Sequence, residues 1–223
     1  MKTRLFALVL FVMVIMASRT VTVAQAFVNL DFEHPILPLD PNDPFGVPIT
    51  NAMPGWTGYL GGAPVDRVFY NTVSIGVAAI SLQGPASSSP LIQGNYSVIL
   101  QGQFGSGGMS AAIGQTGQIP ISAQSLIFLS GSESMQATFS GQPIPLSELG
   151  RTSSYLILGG DISFFAGQTG ELRFTMPSVQ FSFNIPYLDD IQFATQPIPE
   201  PGVFGLFAFG ALLLGWGLRH KTR

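Results

Sequence analysis

The stretch SLIFLSGSESMQATFS, residues 125–140, shows most clearly how this chain is built. Apolar side chains fill residues 126–129, and apolar and polar side chains alternate over residues 135–140, with glycine and serine between the two runs. Short apolar runs bounded by turn-forming residues are typical of β-strands. We therefore predict two strands here, over residues 125–130 and 135–140.

The same pattern recurs in both directions along the chain, at a spacing of roughly ten residues. The predicted strands cover residues 27–32, 65–70, 73–81, 96–101, 109–118, 125–130, 135–140, 155–158, 170–175, 179–184 and 188–193. The proline-rich residues 34–55 are predicted to form a long loop, and Asp161 to cap a single helical turn over residues 162–166. The pattern predicts an all-β fold, an antiparallel sandwich of two sheets.

Composition sets limits on what this domain, residues 27–198, can do. It holds three arginines, no lysine and eleven acidic side chains, which gives a net charge of −8. Nucleic-acid binding needs a basic surface, so we expect no nucleic-acid partner. The chain has no cysteine, which excludes disulfides, thiol nucleophiles and zinc–thiolate sites.

The first 26 residues carry the three parts of a secretory signal peptide. Lys2 and Arg4 precede an apolar run over residues 5–17, and Ala24-Gln25-Ala26 follows as a small-x-small cleavage site. Cleavage after Ala26 would leave Phe27 as the new N-terminus. The alternative is a retained N-terminal anchor.

The last residues combine an apolar segment with a basic tail. Residues 202–218 contain no charge, and Arg219, His220, Lys221 and Arg223 follow at once. A helix of this length reaches about 26 Å, enough to cross a thin bilayer. Positive flanks favour the cytoplasmic side of a membrane. The basic residues at both ends of the chain therefore predict that residues 27–198 lie outside the cytoplasm.

The tripeptide Pro199-Glu200-Pro201 precedes that apolar segment. Together the tripeptide, the transmembrane helix 202–218 and the basic tail resemble the PEP-CTERM sorting signal, over residues 199–223. The resemblance implies that an exosortase, a membrane-embedded cysteine protease and transpeptidase, recognises and processes the chain at this tripeptide. The alternative is a plain C-terminal anchor, in which the prolines merely open the helix.

Four further stretches of the chain resemble galactose-binding-like jelly rolls, a class with many carbohydrate-binding modules. They are Asn29-Leu30-Asp31-Phe32-Glu33, Gly55-Trp56, residues 160–174 and Leu188-Asp189-Asp190-Ile191. The resemblance implies a two-sheet jelly-roll sandwich. It also implies a structural calcium site that takes oxygens from Glu33 and from Asp189 or Asp190. The alternative is that both aspartates lie at a solvated sheet edge, with Glu33 paired locally with Arg173 or with nothing.

Aromatic side chains near the proline-rich loop are candidates for stacking against a sugar ring. They are Trp56, Tyr59, Phe69 and Tyr70. For Trp56 the competing interpretation is that the indole fills the core of the sandwich.

The residues offer little support for catalysis. His34 is the single histidine of residues 27–198, and no G-x-S-x-G motif is present for it to serve. The leading hypothesis is an exported, non-catalytic protein of the cell surface or the exopolysaccharide matrix. The alternatives are a carbohydrate-binding module and a small glycan hydrolase that uses a pair of carboxylates.

Overall fold

The computed structural model describes residues 25–43, 46–74, 76–89, 91–105, 107–178 and 185–198. The predicted apolar run of the signal peptide, the sorting segment 199–223 and the predicted strand 179–184 lie outside the described residues. Within those described ranges, no helix is both long enough and apolar enough to cross a membrane.

Fourteen strands, one short helix and one 3₁₀ turn make up the described structure. The helix α1 is Ile49–Ala52, and the 3₁₀ turn is Ser163–Phe165. The strands are β1 Val47–Pro48, β2 Thr57–Leu60, β3 Ala63–Val65, β4 Arg67–Tyr70, β5 Ala79–Gln83, β6 Ser97–Gln101, β7 Ala111–Gln118, β8 Ser125–Ser130, β9 Gln136–Phe139, β10 Gln142–Ile144, β11 Ser147–Arg151, β12 Leu156–Asp161, β13 Thr169–Met176 and β14 Tyr187–Ala194.

The strands form two sheets, which confirms the prediction of an all-β, sandwich-like fold. The eight-stranded sheet has the order β1-β4-β5-β6-β14-β8-β12-β11, and the six-stranded sheet has the order β10-β9-β13-β7-β2-β3. All the pairings are antiparallel except the parallel pair β4–β5.

The core lies between the two sheets and follows from the alternation along each strand. In β13, Leu172 and Phe174 are fully buried, whereas Arg173 between them points to the outer face. Phe128 of the facing sheet meets Phe174 edge to face, with ring centroids 4.9 Å apart. Side chains of this kind fill the interior and hold the two sheets together.

The sequence located most central strands and missed the irregular ones. Residues 125–130 form β8 as predicted. The predicted strand 27–32 is wrong, because Asn29 and Phe32 adopt left-handed φ angles of 50° and 57°. This segment is held instead by the Gln115 side chain, which hydrogen-bonds both backbone groups of Val28, at 2.6 and 2.9 Å.

Two further predictions concern loops. The predicted loop 34–55 contains β1 and α1, so it is not structureless. The helical turn after Asp161 is confirmed over the shorter range Ser163–Phe165, and its N-cap residue is Ile162. The Asp161 carboxylate lies one residue earlier and accepts a hydrogen bond of 2.8 Å from the Ser163 N–H, which lowers the pKa of Asp161.

The two ends of the described domain, at Gln25 and Gln196, lie at one end of the sandwich, which we call the terminal pole and define by residues 119–124 and 162–168. Gln118 N–H donates to the Gln25 carbonyl at 2.8 Å, and Gln124 N–H donates to the Ala194 carbonyl at 2.8 Å. The Phe27 and Phe193 rings also meet there, with centroids 5.3 Å apart. The opposite end, the distal pole, is defined by residues 61–62, 102–105, 107–110 and 131–135.

Candidate functional site

Asp189 is a fully buried carboxyl group with a strongly raised pKa. It lies in β14 with 0% of its surface exposed. Ser97 Oγ donates to Asp189 Oδ2 at 2.7 Å, and the Asp190 N–H donates to Oδ1 at 2.8 Å. Burial raises the pKa of Asp189 to about 7, although these two hydrogen bonds oppose the shift; the charges of Glu33 and Asp190 add to it.

A β-bulge separates the two aspartates. The register of β14 against β8 shifts between Asp189 and Gln192, and Asp190 has a left-handed φ of 46°. Asp190 therefore turns away from Asp189, and both of its carboxylate oxygens accept from Gln192 Nε2 at 2.8 Å. Asp189 is buried in a strand between β6 and β8. The alternative interpretation, in which both aspartates lie at a solvated sheet edge, is therefore wrong for Asp189.

Glu33 binds the loop that leads into β6. Its Oε1 accepts hydrogen bonds from the N–H groups of Asn95 and Tyr96, at 2.7 and 2.9 Å. Its Oε2 accepts from Asn95 Nδ2 at 3.2 Å. Glu33 and Asp189 thus hold adjacent parts of one segment, residues 95–97, and this junction links the start of the domain to its last strand.

Each of the three carboxylates predicted for a calcium site is engaged by a hydrogen-bond donor of its own. Glu33 binds residues 95–96, Asp189 binds Ser97, and Asp190 binds Gln192. Within the described ranges, no group of three or more acidic, histidine or cysteine side chains could hold a metal ion. The predicted site takes only two carboxylates, with backbone carbonyls as further ligands, so calcium binding stays a prediction, and we derive no metal chemistry from these residues.

The aromatic residues predicted as sugar platforms are not brought together. Trp56 is 3% exposed, packs on Phe32 and Phe174, and donates from Nε1 to the Asn29 carbonyl at 2.9 Å. Its ring presents no face to solvent. Trp56 therefore fills the core of the sandwich, as the competing interpretation predicts, and is not available to a sugar in this structure. Tyr70 is half-buried and packs beside Gly84.

Tyr59 lies on the outer face of the six-stranded sheet, in a cluster with two charged residues. Its hydroxyl donates to Glu171 Oε1 at 2.7 Å, and the Arg173 guanidinium carbon lies 3.8 Å from the Tyr59 ring centroid. Arg173 and Glu171 form an ion pair of 2.8 Å. Burial, followed by the contact with Glu171, raises the pKa of Tyr59. The guanidinium occupies the ring face that a sugar would need.

Gly114 makes this cluster possible, because it lies opposite Arg173 and Thr57 in the middle strand of the face. A Cβ at Gly114 would lie 2.6 Å from Glu171 Oε1, so glycine leaves room for the carboxylate to reach across β7. The cluster satisfies its own charges and stabilises the outer face.

His34, the single histidine of residues 27–198, is exposed, and its backbone N–H donates to Asn29 Oδ1 at 3.1 Å. The sequence did not predict the hydrogen-bond donors Ser97, which binds Asp189, and Asn95, which binds Glu33. They are 92 and 62 residues away from their partners, and neither belongs to a motif. Tyr59 was predicted as a sugar platform, but its contacts with Glu171 and Arg173 were not, because these residues lie more than 100 positions away in the sequence.

Comparisons of the chain with protein-family models, with curated proteins and with solved structures find no match.

Proposed function

We propose that this chain is an exported precursor, anchored by residues 202–218 and processed by an exosortase at Pro199-Glu200-Pro201. Its mature domain acts at the cell surface or in the exopolysaccharide matrix as a non-catalytic structural unit. We also propose that the sandwich is of the jelly-roll type. The repeated passage of the chain from one sheet to the other, as from β7 to β8 and from β12 to β13, supports this topology.

The observation that carries the proposal is the position of the two chain ends. Gln25 binds at the end of β7, and Gln196 accepts a hydrogen bond of 2.7 Å from Ser125 Oγ at the start of β8. The segments with membrane-targeting character therefore join the domain at the same pole. A domain attached in this way can fold while both membrane segments hold it at the bilayer by the same end.

Several acidic side chains form ion pairs within the domain, which supports a structural role. Glu133 and Glu148 both pair with Arg151, at 2.6 and 2.7 Å, and Glu171 pairs with Arg173. Contacts to Arg151 lower the pKa of Glu148. Carboxylates held in this way are engaged with their own loops and strands. Among the described residues, the one carboxyl group with a pKa raised to about 7, that of Asp189, is 0% exposed, so a substrate does not reach it in this structure.

The proposal is tested by the intact mass of the protein recovered from the native cells. We expect the wild-type protein to lack residues 1–26 and the segment beyond the Pro-Glu-Pro tripeptide. The matched variant replaces Pro199, Glu200 and Pro201 with alanine. We expect this variant to retain residues 202–223 and to remain in the membrane fraction.

Recovery of the unprocessed 223-residue chain from wild-type cells would contradict the export proposal. Equal processing of the wild type and the triple-alanine variant would contradict the assignment of the tripeptide as the recognition site.

A further inference from the structure

The terminal pole exposes two large apolar side chains. Ile121 is 87% exposed and Phe164 is 76% exposed, more than any other large apolar residue of the described structure. They come from two loops that lie side by side, since a Cβ at Gly167 would lie 3.7 Å from Ile121 Cγ1. The two side chains therefore project from one surface.

Hydrogen bonds hold both loops in place. Ile119 N–H donates to the Gln168 carbonyl at 3.0 Å, and Gly167 N–H donates to the Ile119 carbonyl at 3.0 Å. Gln168 Nε2 donates to the Phe164 carbonyl at 2.7 Å. The Phe164 ring also meets Phe165 edge to face, with centroids 5.6 Å apart. The exposure of Ile121 and Phe164 is thus built into a well-connected part of the fold.

The two loops of the pole carry no charged side chain of their own, and the nearest charge in sequence is the exposed Asp161 carboxylate, which accepts from the Ser163 N–H at 2.8 Å at the base of the second loop. Residues 119–124 are IPISAQ and residues 162–168 are ISFFAGQ, so neither loop holds an acidic or basic side chain. This contrasts with the net charge of −8 over residues 27–198. The tips of the two loops, Ile121 and Phe164, can therefore enter a lipid interface by a shallow insertion that leaves the Asp161 carboxylate at the level of the headgroups.

The length of the chain places this pole near a bilayer. Ile198 lies beside Gly159, which is two residues before the end of β12 at the terminal pole. From Ile198 to Gly202, where the apolar segment begins, the chain spans at most about 14 Å. The headgroup layer on each side of a bilayer is roughly 5–8 Å thick. The domain must therefore stay close to the membrane that holds residues 202–218.

We infer that the terminal pole rests on the lipid surface in the precursor, with Ile121 and Phe164 inserted into the boundary between headgroups and acyl chains. This inference rests on the proposed anchoring of residues 202–218. Such a contact would fix the orientation of the domain and hold the Pro-Glu-Pro tripeptide at the membrane surface, where a membrane-embedded protease can reach it.

The test uses the full chain in vesicles of phosphatidylcholine, because the absence of cysteine allows single labels. The variants are Ile121→Cys and Phe164→Cys, each carrying a polarity-sensitive fluorophore. The matched control is Met109→Cys at the distal pole, a site that is 49% exposed. Flotation of the vesicles measures the anchoring separately. Phosphatidylcholine with brominated acyl chains then reports contact between each label and the lipid.

We expect all three variants to float with the vesicles. Labels at residues 121 and 164 should shift to shorter emission wavelengths and lose most of their emission to bromine, whereas the label at residue 109 should not. Flotation without quenching at 121 and 164 would overturn the inference and leave the anchoring intact. A blue shift that bromine does not quench would indicate contact with protein, such as a second copy, and would also overturn it. A failure to float would contradict the anchoring itself.

Discussion

At the scale of single residues, Asp189 determines how the domain responds to pH. Its carboxyl group is fully buried, and its partners are a hydroxyl and a backbone N–H, with no basic side chain among them. The charged groups that act on it are Glu33 and Asp190, and both disfavour ionisation. The neutral, protonated form is therefore the favoured one in the folded protein.

This predicts that the free energy of unfolding falls as the pH rises from about 5 to about 7. The pKa of Asp189 rises from 3.8 to about 7 on folding, so the folded chain holds a proton that the unfolded chain releases in that range. The loss should be at most roughly 1.4 kcal/mol per pH unit. Urea denaturation at a series of pH values, with a chelator present, measures it.

Asp189→Asn should remove that slope, because the amide is neutral at every pH and still pairs with Ser97 and the Asp190 N–H. The matched control, Asp190→Asn, should keep it, since Asp190 is only half-buried. Equal slopes in the wild type and Asp189→Asn would refute the assignment to Asp189. Stabilisation of the wild type by added calcium at pH 8 would show instead that a metal binds this junction.

At the scale of elements, the close approach of the segment before β14 to the eight-stranded sheet depends on glycine. A Cβ at Gly131 would collide with the Ile185 carbonyl oxygen and lie 2.9 Å from Tyr187 N. Both neighbours are backbone atoms, so they cannot swing aside. The Gly131 N–H in turn donates to the Tyr187 carbonyl at 3.0 Å.

Gly131→Ala should therefore destabilise the domain by about 2 kcal/mol, as overpacking of a tight contact does. Gly150→Ala in β11 is the matched control, because its nearest neighbour would be the flexible Ile157 side chain at 3.4 Å. That control should change stability by less than about 0.5 kcal/mol. Thermal and urea denaturation of the two variants measure the difference, and an equally stable Gly131→Ala would contradict the contact.

The elements that sequence could predict are those with a clear apolar pattern. β8 is a continuous apolar run that is buried along most of its length, and β13 buries every second side chain from Leu172 to Met176. β2 and β3 were missed because Gly58 and Pro64 break the strand pattern, although pairing with β7 orders them. Residues 27–32 have a strand-like composition, but contacts to Gln115 set their backbone instead.

The candidate site was only partly predictable for a related reason. Sequence identified Asp189 and Glu33, and the structure brings both to residues 95–97. The pattern could not reveal the bulge that turns Asp190 outward, since a bulge depends on the partner strand. It also could not decide between the two roles of Trp56, because the burial of an indole depends on neighbours such as Phe174 that are distant in sequence.

At the scale of the whole molecule, the account depends on which side of a membrane the sandwich occupies. The chain has no cysteine, so a membrane-impermeant maleimide can report the side of any single introduced cysteine. Met109→Cys reports the distal pole, where Met109 is 49% exposed. Thr222→Cys reports the basic tail, and it is made with Pro199, Glu200 and Pro201 changed to alanine so that the tail is retained.

Maleimide labelling of intact native cells expressing these two variants is the most direct test. We predict that Met109→Cys reacts in intact cells, whereas Thr222→Cys reacts only after the cells are lysed. Protection of Met109→Cys until lysis would place the sandwich in the cytoplasm and contradict the account.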